Sequence, residues 1–260
     1  MTTTPAAPQV STGRVLARTC AAEWTRLRTV RASWWFAAAA AVVMVGIGTV
    51  AGLEADPFPA NSDPAWTAST VTAMPAQFAL LALALTAVTS DYATGGIVPT
   101  LQWTPRRSVL ALARTLVAVA SATTLAVLLA LASALAAFAG GRPALHLPFA
   151  EGLDALGTVA LVVAGGTTLA VGLGLLLRNT AGALIAAFLL MLVLPFVLPV
   201  FGYAWMSAIA EVLPGSGSVF LLIGEVPGMT TASAVTTLLV WAGGALLLGW
   251  LRLVRDDANR

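Results

Sequence analysis

Few side chains in this chain of 260 residues have the chemistry of a catalytic or metal-binding site. It contains one cysteine, Cys20, and one histidine, His146. A single cysteine can form neither an intramolecular disulfide nor a cysteine cluster around a metal. The zinc motif HExxH and the phosphate-binding motif GxxxxGKS/T are absent, so metal-assisted hydrolysis and ATP hydrolysis lack their usual residues. The sequence therefore predicts a protein that is not an enzyme and binds no metal or cofactor directly.

Six long stretches of the chain contain no charged residue. Apolar residues make up 59% of the sequence and charged residues 9%, against about 45–50% and about 25% in soluble proteins. A helix needs about 20 apolar residues to cross a membrane. The six stretches have 22 to 32 residues, at 32–53, 64–90, 115–141, 155–177, 179–210 and 226–251. Ion-coupled carriers normally use charges inside their spans, so such a carrier is disfavoured. We predict an all-α polytopic membrane protein with six transmembrane helices over residues 32–252.

The positive charge is unevenly distributed between the two sides of these spans. All 13 basic residues are arginines, and 12 of them fall on one side. Only Arg142 falls on the other side, together with seven acidic residues. Because arginine-rich loops remain in the cytoplasm, both termini are predicted to be cytoplasmic, with residues 253–260 as a short tail. We expect a multi-pass protein of the plasma (inner) membrane, with no nucleic-acid partner.

The first 31 residues divide into two parts. Residues 1–13 show no periodic apolar pattern, which predicts disorder. In 14–31, apolar residues recur every three or four positions while charged residues occupy the other faces, as in an amphipathic helix at a membrane surface. This helix either only anchors the first span or transmits force to a partner beneath the membrane. Its candidate contact residues are Trp24, Leu27, Arg28 and Arg31.

The predicted cytoplasmic segment 90–107 is moderately apolar but too short to cross the membrane. Asp91 and Thr94 can cap a short helix, whereas the glycines and prolines that follow limit its length. We interpret the segment as an element that docks onto a partner. A passive loop resting on the membrane is the alternative.

Two features in the last third of the chain predict bending. Pro195 and Pro199 lie within the fifth span, where each removes a backbone donor and kinks the helix. They form a candidate hinge. The next segment, 203–228, contains a charge-free stretch of 13 residues that is too short to cross. We expect it to form a short re-entrant helix on the outer side.

Glycines recur in spans one, four and six, where small residues usually allow helices to pack closely. We expect them to pack helices of one chain against each other, and packing between two chains is the alternative. These glycines are Gly48, Gly52, Gly165, Gly166, Gly172, Gly243 and Gly244.

Two of the cytoplasmic segments resemble those of actinobacterial type-2 ABC exporter permeases. EWTRLRTVRASWW at 23–35 is similar to the entry segment of that family. SDYATGGIVPTLQWTPRRSVLALAR at 90–114 is similar to the family's loop after the second span. Family members more often carry glutamate at the acidic position, and Gly96 with Pro99 interrupts a helix that is usually smoother. The matching positions in the loop are Asp91, Tyr92, Gly95, Thr104, Pro105, Arg106 and Arg107.

The resemblance implies that this loop is a coupling helix that contacts an ATPase. It also implies two permeases side by side, the second being another copy or a paralogue, and two cytoplasmic ATPase subunits that bind the ATP and Mg²⁺. The expected function is export of an apolar or amphipathic substrate, with membrane lipid as a further partner. The alternative is a non-transporting assembly, sensor or immunity protein that docks a cytoplasmic regulator. A membrane-embedded enzyme is the least supported class.

Overall fold

Helices account for nearly all of the chain that the structure describes. This computed structural model describes residues 11–55, 64–94, 107–142, 144–224 and 226–255. They contain α1 (Thr12–Thr29), α2 (Arg31–Leu53), α3 (Trp66–Thr94), α4 (Arg107–Gly140), α5 (Phe149–Leu177), α6 (Thr180–Phe188), a π-helical turn (Leu189–Val193), α7 (Leu194–Val200), α8 (Ala204–Glu211), α9 (Pro214–Ile223) and α10 (Thr231–Arg255). Over these ranges, β pairing is limited to an isolated bridge between Pro64 and His146.

Six helical segments are long and apolar enough to cross a membrane. They are Arg31–Leu53, Trp66–Tyr92, Arg107–Gly140, Phe149–Leu177, Thr180–Val200 and Thr231–Arg255. A helix satisfies its backbone donors and acceptors internally, as the interior of a membrane requires. The prediction of an all-α membrane protein with six spans is confirmed. The orientation of the termini and the identity of the membrane stay predictions.

Two of the spans form the centre of the bundle. Buried residues make up 67% of the most apolar part of α5 and 61% of that of α3, against 22–28% in the other four spans. The helix α5 packs against α3, α4 and α10, while α2, α3 and α4 pack against one another. Alanine and medium-sized aliphatic residues, such as Leu80, Ala126 and Val162, fill the shared core. The outer spans therefore turn most of their apolar surface away from this core.

Glycines allow two pairs of spans to approach to backbone contact. Gly52 of α2 lies against the backbone of Ala137 in α4, and Gly172 of α5 lies against that of Ala245 in α10. A side chain at either glycine would overlap the facing backbone. The expectation of close packing within one chain is confirmed at these two positions. It is wrong for Gly243 and Gly244, because both face open space on α10.

Pro195 influences the shape of the fifth span. Its nitrogen cannot donate a hydrogen bond to the carbonyl of Met191, one turn earlier. The helix passes through the π-helical turn immediately before Pro195, and the Leu194 N–H donates to the Leu189 carbonyl five residues back. Gly215 of α9 packs against the Met191 carbonyl. The fifth span is therefore irregular near Pro195.

The segment after the fifth span has two short helices where the sequence predicts one. The helices α8 and α9 meet at a bend of 73°, because Pro214 starts a new helix after the break. Across the bend, the Ser216 hydroxyl donates to the Ala210 carbonyl at 2.6 Å. The Trp241 indole of α10 donates to the Val212 carbonyl at 2.7 Å and holds the bend against the last span. Entry of this pair into the membrane stays a prediction.

Candidate functional site

Four charged side chains from three helices meet at one end of the bundle. Glu23 and Arg26 belong to α1, Asp91 lies in the last turn of α3, and Arg114 lies in the second turn of α4. We call these four residues the ion cluster. Two guanidinium groups face two carboxylates, so the ion cluster carries no net charge.

Arg114 is the buried centre of the ion cluster. Its side chain is 2% exposed. Its Nε donates to Glu23 Oε1 at 2.9 Å, and its Nη2 donates to Asp91 Oδ2. A buried charge is costly unless it is both paired and hydrogen-bonded. The two carboxylates supply both requirements, and Arg114 thereby connects α4 to α1 and to α3.

Arg26 connects α1 directly to α3. Its Nη2 lies 2.7 Å from Asp91 Oδ1, and its Nη1 donates to Asp91 Oδ2 at 2.9 Å. Such two-point pairing fixes geometry as well as adding energy. The same guanidinium donates to the Ser90 hydroxyl at 2.5 Å and reaches Glu23 at 3.5 Å. Asp91 is therefore held through both of its carboxylate oxygens.

Helix geometry explains why these residues can pair. Glu23 and Arg26 are three positions apart, so they share one face of α1. Asp91 lies at the C-terminal end of α3, where the negative end of the helix dipole disfavours a carboxylate. The two guanidinium groups offset this disadvantage. The pairing thus fixes α1 against the adjoining ends of α3 and α4.

Three further arginines cap helices at this end of the bundle. Arg252 donates to the Leu176 carbonyl, and Arg178 donates to the Arg252 carbonyl at 3.5 Å. Arg107 donates to the Leu253 carbonyl, also at 3.5 Å. Guanidinium groups at helix C-termini bind the last carbonyls and complement the helix dipole. Arginines that the sequence assigns to one side of the membrane thus meet at one end of the bundle.

Tyr92, the residue after Asp91, contacts this second group of arginines. The Arg178 guanidinium carbon lies 6.0 Å from the centre of the Tyr92 ring, a cation–π contact. The Tyr92 hydroxyl is buried without a hydrogen-bond partner among the described residues. Asp91 and Tyr92 therefore join the end of α3 to two different sets of arginines.

The predicted docking residues lie only partly within the described chain. Asp91 and Tyr92 are in the last turn of α3, and Arg107 begins α4. The expectation that Asp91 caps a new short helix is wrong, because α3 continues through it to Thr94. Gly95, Thr104, Pro105 and Arg106 lie outside the described residues. The structure brings Asp91 together with α1, which the sequence did not indicate. The docking role of segment 90–107 stays a prediction.

The predicted interfacial helix is α1, and it ends two residues earlier than expected. Val30 adopts an extended conformation after Thr29, so Arg31 belongs to α2. Trp24 and Arg28 are exposed, Leu27 is half-buried, and no residue of α1 is fully buried. The Arg28 guanidinium lies 5.8 Å from the centre of the Trp24 ring. Since α1 lies outside the core, the ion cluster is its main polar attachment.

The sequence places Glu23 and Arg26 on the polar face of an amphipathic helix and Arg114 beside a cytoplasmic loop, so it predicts none of the three as a site residue. The position of Arg114 could have indicated a specific role, because it lies inside a long apolar helical pattern. Ionisable residues in such patterns usually have one. The partners of Arg114 are 91 and 23 residues away. No local pattern relates residues at those separations.

The candidate hinge residues border a cavity. Pro195 is buried and Pro199 is exposed. A cavity of about 380 Å³ lies between α7, α8 and α9, and Glu211 is among its lining residues together with both prolines. The end of the fifth span therefore borders a half-open cavity beside the two short helices, although Gly215 packs closely against Pro195. The action of the prolines as a hinge stays a prediction.

Comparison with models of protein families gives no match to this chain, and comparison with curated proteins gives none. The described residues contain no group of three or more His, Cys, Asp or Glu side chains that could hold a metal ion. Among the described residues, the ion cluster is therefore the main candidate for a functional polar site.

Proposed function

We propose that this chain is the membrane-spanning permease subunit of an ATP-driven ABC exporter of the type-2 class. The observation that carries the proposal is the ion cluster, which attaches the amphipathic helix α1 to the end of α3 just before segment 95–106. In this proposal that segment contacts two copies of a cytoplasmic ATPase, which bind the ATP and Mg²⁺. A second permease copy or a paralogue completes the transporter.

The ion cluster supports this function because it couples three helices mechanically. Removing one partner from a buried ion pair costs about 3–5 kcal/mol, so the contacts persist when moderate force acts on one helix. A displacement of the end of α3 would therefore move α1 and α4 with it. Because α4 is a continuous helix of 34 residues, the displacement would reach the opposite side of the membrane.

The chemistry of the spans supports an apolar or amphipathic substrate. Hydroxyl groups inside the bundle bond mainly to their own helices, as when Thr72 donates to the Ala68 carbonyl at 2.6 Å and Thr167 to the Val163 carbonyl at 2.6 Å. Such hydroxyls are already satisfied and do not require a polar ligand. The side chains packed inside the bundle are mainly aliphatic, and Gln77 is a buried amide there without a hydrogen-bond partner among the described residues. The mainly apolar interior favours substrates with large apolar parts.

Co-purification and ATP hydrolysis test the proposed function. A soluble chain with a phosphate-binding loop, encoded next to this protein, should co-purify with it, and its ATP hydrolysis in liposomes should be stimulated by the permease. Asp91→Asn should reduce this stimulation. The matched control Arg255→Gln, which also removes one charge at this end but lies exposed in the last turn of α10, should not.

The same experiment distinguishes the alternative function. If the inserted, folded protein binds no ATP-hydrolysing chain and moves no amphipathic dye in the presence of ATP, the exporter proposal fails. A non-transporting protein that docks a cytoplasmic regulator then becomes the better interpretation.

A further inference from the structure

A long cleft separates α1 from the two spans beside it. Its volume is about 850 Å³, which falls within the roughly 300–1,000 Å³ of ligand-binding pockets. Trp24 and Arg28 of α1, Trp34 of α2, and Leu116, Ala120 and Leu128 of α4 are among the lining residues. The Leu128 side chain is 58% exposed and that of Trp34 is 62% exposed, so the cleft is open toward the surroundings of the bundle.

The length of the cleft matches half of a membrane. Its lining residues on α4 run from Leu116 to Leu128, a separation of about 18 Å at the helical rise of 1.5 Å per residue. The hydrocarbon core of a bilayer is about 30 Å thick, so one leaflet occupies about 15 Å. An extended hydrocarbon chain of one leaflet fits this shape better than a compact ligand does.

The two ends of the cleft differ in polarity. At the α1 end, Arg28 is the one charged residue among the described residues that line it. The Trp34 indole donates to the Arg28 carbonyl at 2.8 Å, and tryptophan at such positions is typical of the headgroup level of a membrane. Farther along α4, the Ser121 hydroxyl donates to the Val117 carbonyl at 2.5 Å. It is satisfied within its helix, so the remaining walls favour an apolar occupant.

We propose that this cleft binds one acyl chain of an anionic phospholipid, with the lipid phosphate at Arg28. The opening toward the membrane gives lipid direct access, and the length of the cleft suits an acyl chain. The positive charge at the headgroup end selects an anionic lipid over a zwitterionic one. The lipid would fill the space between α1 and the spans and would contact a part of α1 that the ion cluster does not use. This proposal does not depend on the exporter function.

Native mass spectrometry of the full chain in mild detergent tests the proposal, with phosphatidylglycerol and phosphatidylcholine as the added lipids. The unaltered protein should retain one phosphatidylglycerol more strongly than phosphatidylcholine. Arg28→Gln should weaken that retention about fivefold. The control Arg18→Gln removes an exposed arginine of the same helix that does not line the cleft, and it should leave retention unchanged.

A second set of variants tests the cleft itself. Ala120→Trp should fill the cleft and remove the bound lipid, and Ala120→Leu is a milder version in case the larger residue disturbs folding. Ala139→Trp, at an exposed position near the other end of α4, is the control. Equal lipid retention in the Ala120→Leu variant and the unaltered protein, with both folded, would overturn the proposed location.

The single cysteine provides an independent measurement, because Cys20 also lines the cleft. Added phosphatidylglycerol should slow the reaction of Cys20 with an uncharged maleimide, and phosphatidylcholine should slow it less. Equal rates with both lipids, or no retained lipid in any sample, would overturn the proposal. Formation of a dimer that Ala120→Leu disrupts would identify the occupant as a second copy of this chain and would equally overturn it.

Discussion

Replacement of Arg114 by methionine is the most direct test of the ion cluster. Methionine keeps much of the volume of the arginine stem but removes both charged contacts. Glu23 and Asp91 would then share Arg26 alone, which leaves one uncompensated negative charge. Their side chains are 11% and 14% exposed, so water screens that charge in part. We expect a loss of about 2–3 kcal/mol in the free energy of unfolding, below the cost of about 3–5 kcal/mol for a fully buried pair.

Equilibrium unfolding in detergent micelles, followed by helix content, measures this loss. Orientation should be unaffected, because 11 of the 12 arginines on the predicted cytoplasmic side remain. The control Arg255→Met removes an exposed arginine from the last turn of α10. It should leave the unfolding free energy unchanged, since surface substitutions away from specific contacts have little effect.

A double variant separates the loss of pairing from the loss of packing. Arg114→Met combined with Glu23→Met removes one charge of each sign and leaves the two-point pair of Arg26 with Asp91, whose closest atoms are 2.7 Å apart. Because the residual cluster is neutral again, most of the lost stability should return. Unchanged stability of the Arg114→Met variant would contradict this role of the ion cluster. A loss in the double variant equal to the sum of the losses for Arg114→Met and Glu23→Met alone would contradict it as well.

Three further predictions concern topology, the hinge and the coupling loop. Reporter fusions after residues 31, 105, 179 and 260 should report the cytoplasm, and fusions near 60, 146 and 225 should report the exterior; an exterior signal at 105 would contradict the topology. Replacing Pro195 and Pro199 together with alanine restores the missing donors, so transport should fall while expression holds, and unchanged transport would mean that the prolines only pack. Changing Arg106 and Arg107 to glutamine leaves ten of the 12 arginines on that side, so orientation should persist. Loss of charge-assisted hydrogen bonds to an ATPase, about 1.5–3 kcal/mol each, should weaken co-purification and stimulation; full retention of both would limit the arginine pair to topology and, for Arg107, to its contact with the Leu253 carbonyl.

The spans could largely be predicted because composition determines most of their extent, but the predicted stretch 179–210 is too long, since the fifth span ends at Val200 and α8 is a separate helix. A charge-free stretch in a membrane must satisfy its backbone internally, and a helix does this without reference to any other part of the chain. The predicted stretch 32–53 and the observed α2, Arg31–Leu53, differ by one residue. The observed α4 begins earlier than the predicted stretch 115–141, because a helix can include charged residues when they have partners.

The ion cluster could not be predicted, because it depends on which helices are neighbours. When read locally, Asp91 and Arg114 resemble residues at the edge of a span, and Glu23 resembles a residue on the polar face of an amphipathic helix. Their pairing requires α1 to lie against α4 and the end of α3, which is a tertiary arrangement. Gly243 and Gly244 illustrate the same limit, since their type predicts close packing but the orientation of α10 leaves them facing open space.

The position of the ion cluster along the chain has a consequence for biogenesis. All of its residues lie within the first 114, and α2, α3 and α4 pack against one another. Protein chains are made from the N-terminus, and early segments fold first. The charges of the cluster can therefore neutralise each other before α5 and α10 leave the ribosome. These two later helices, in backbone contact at Gly172 and Ala245, then add to a surface that is already assembled. No charge of the ion cluster therefore remains unpaired in the membrane until a later part of the chain is synthesised.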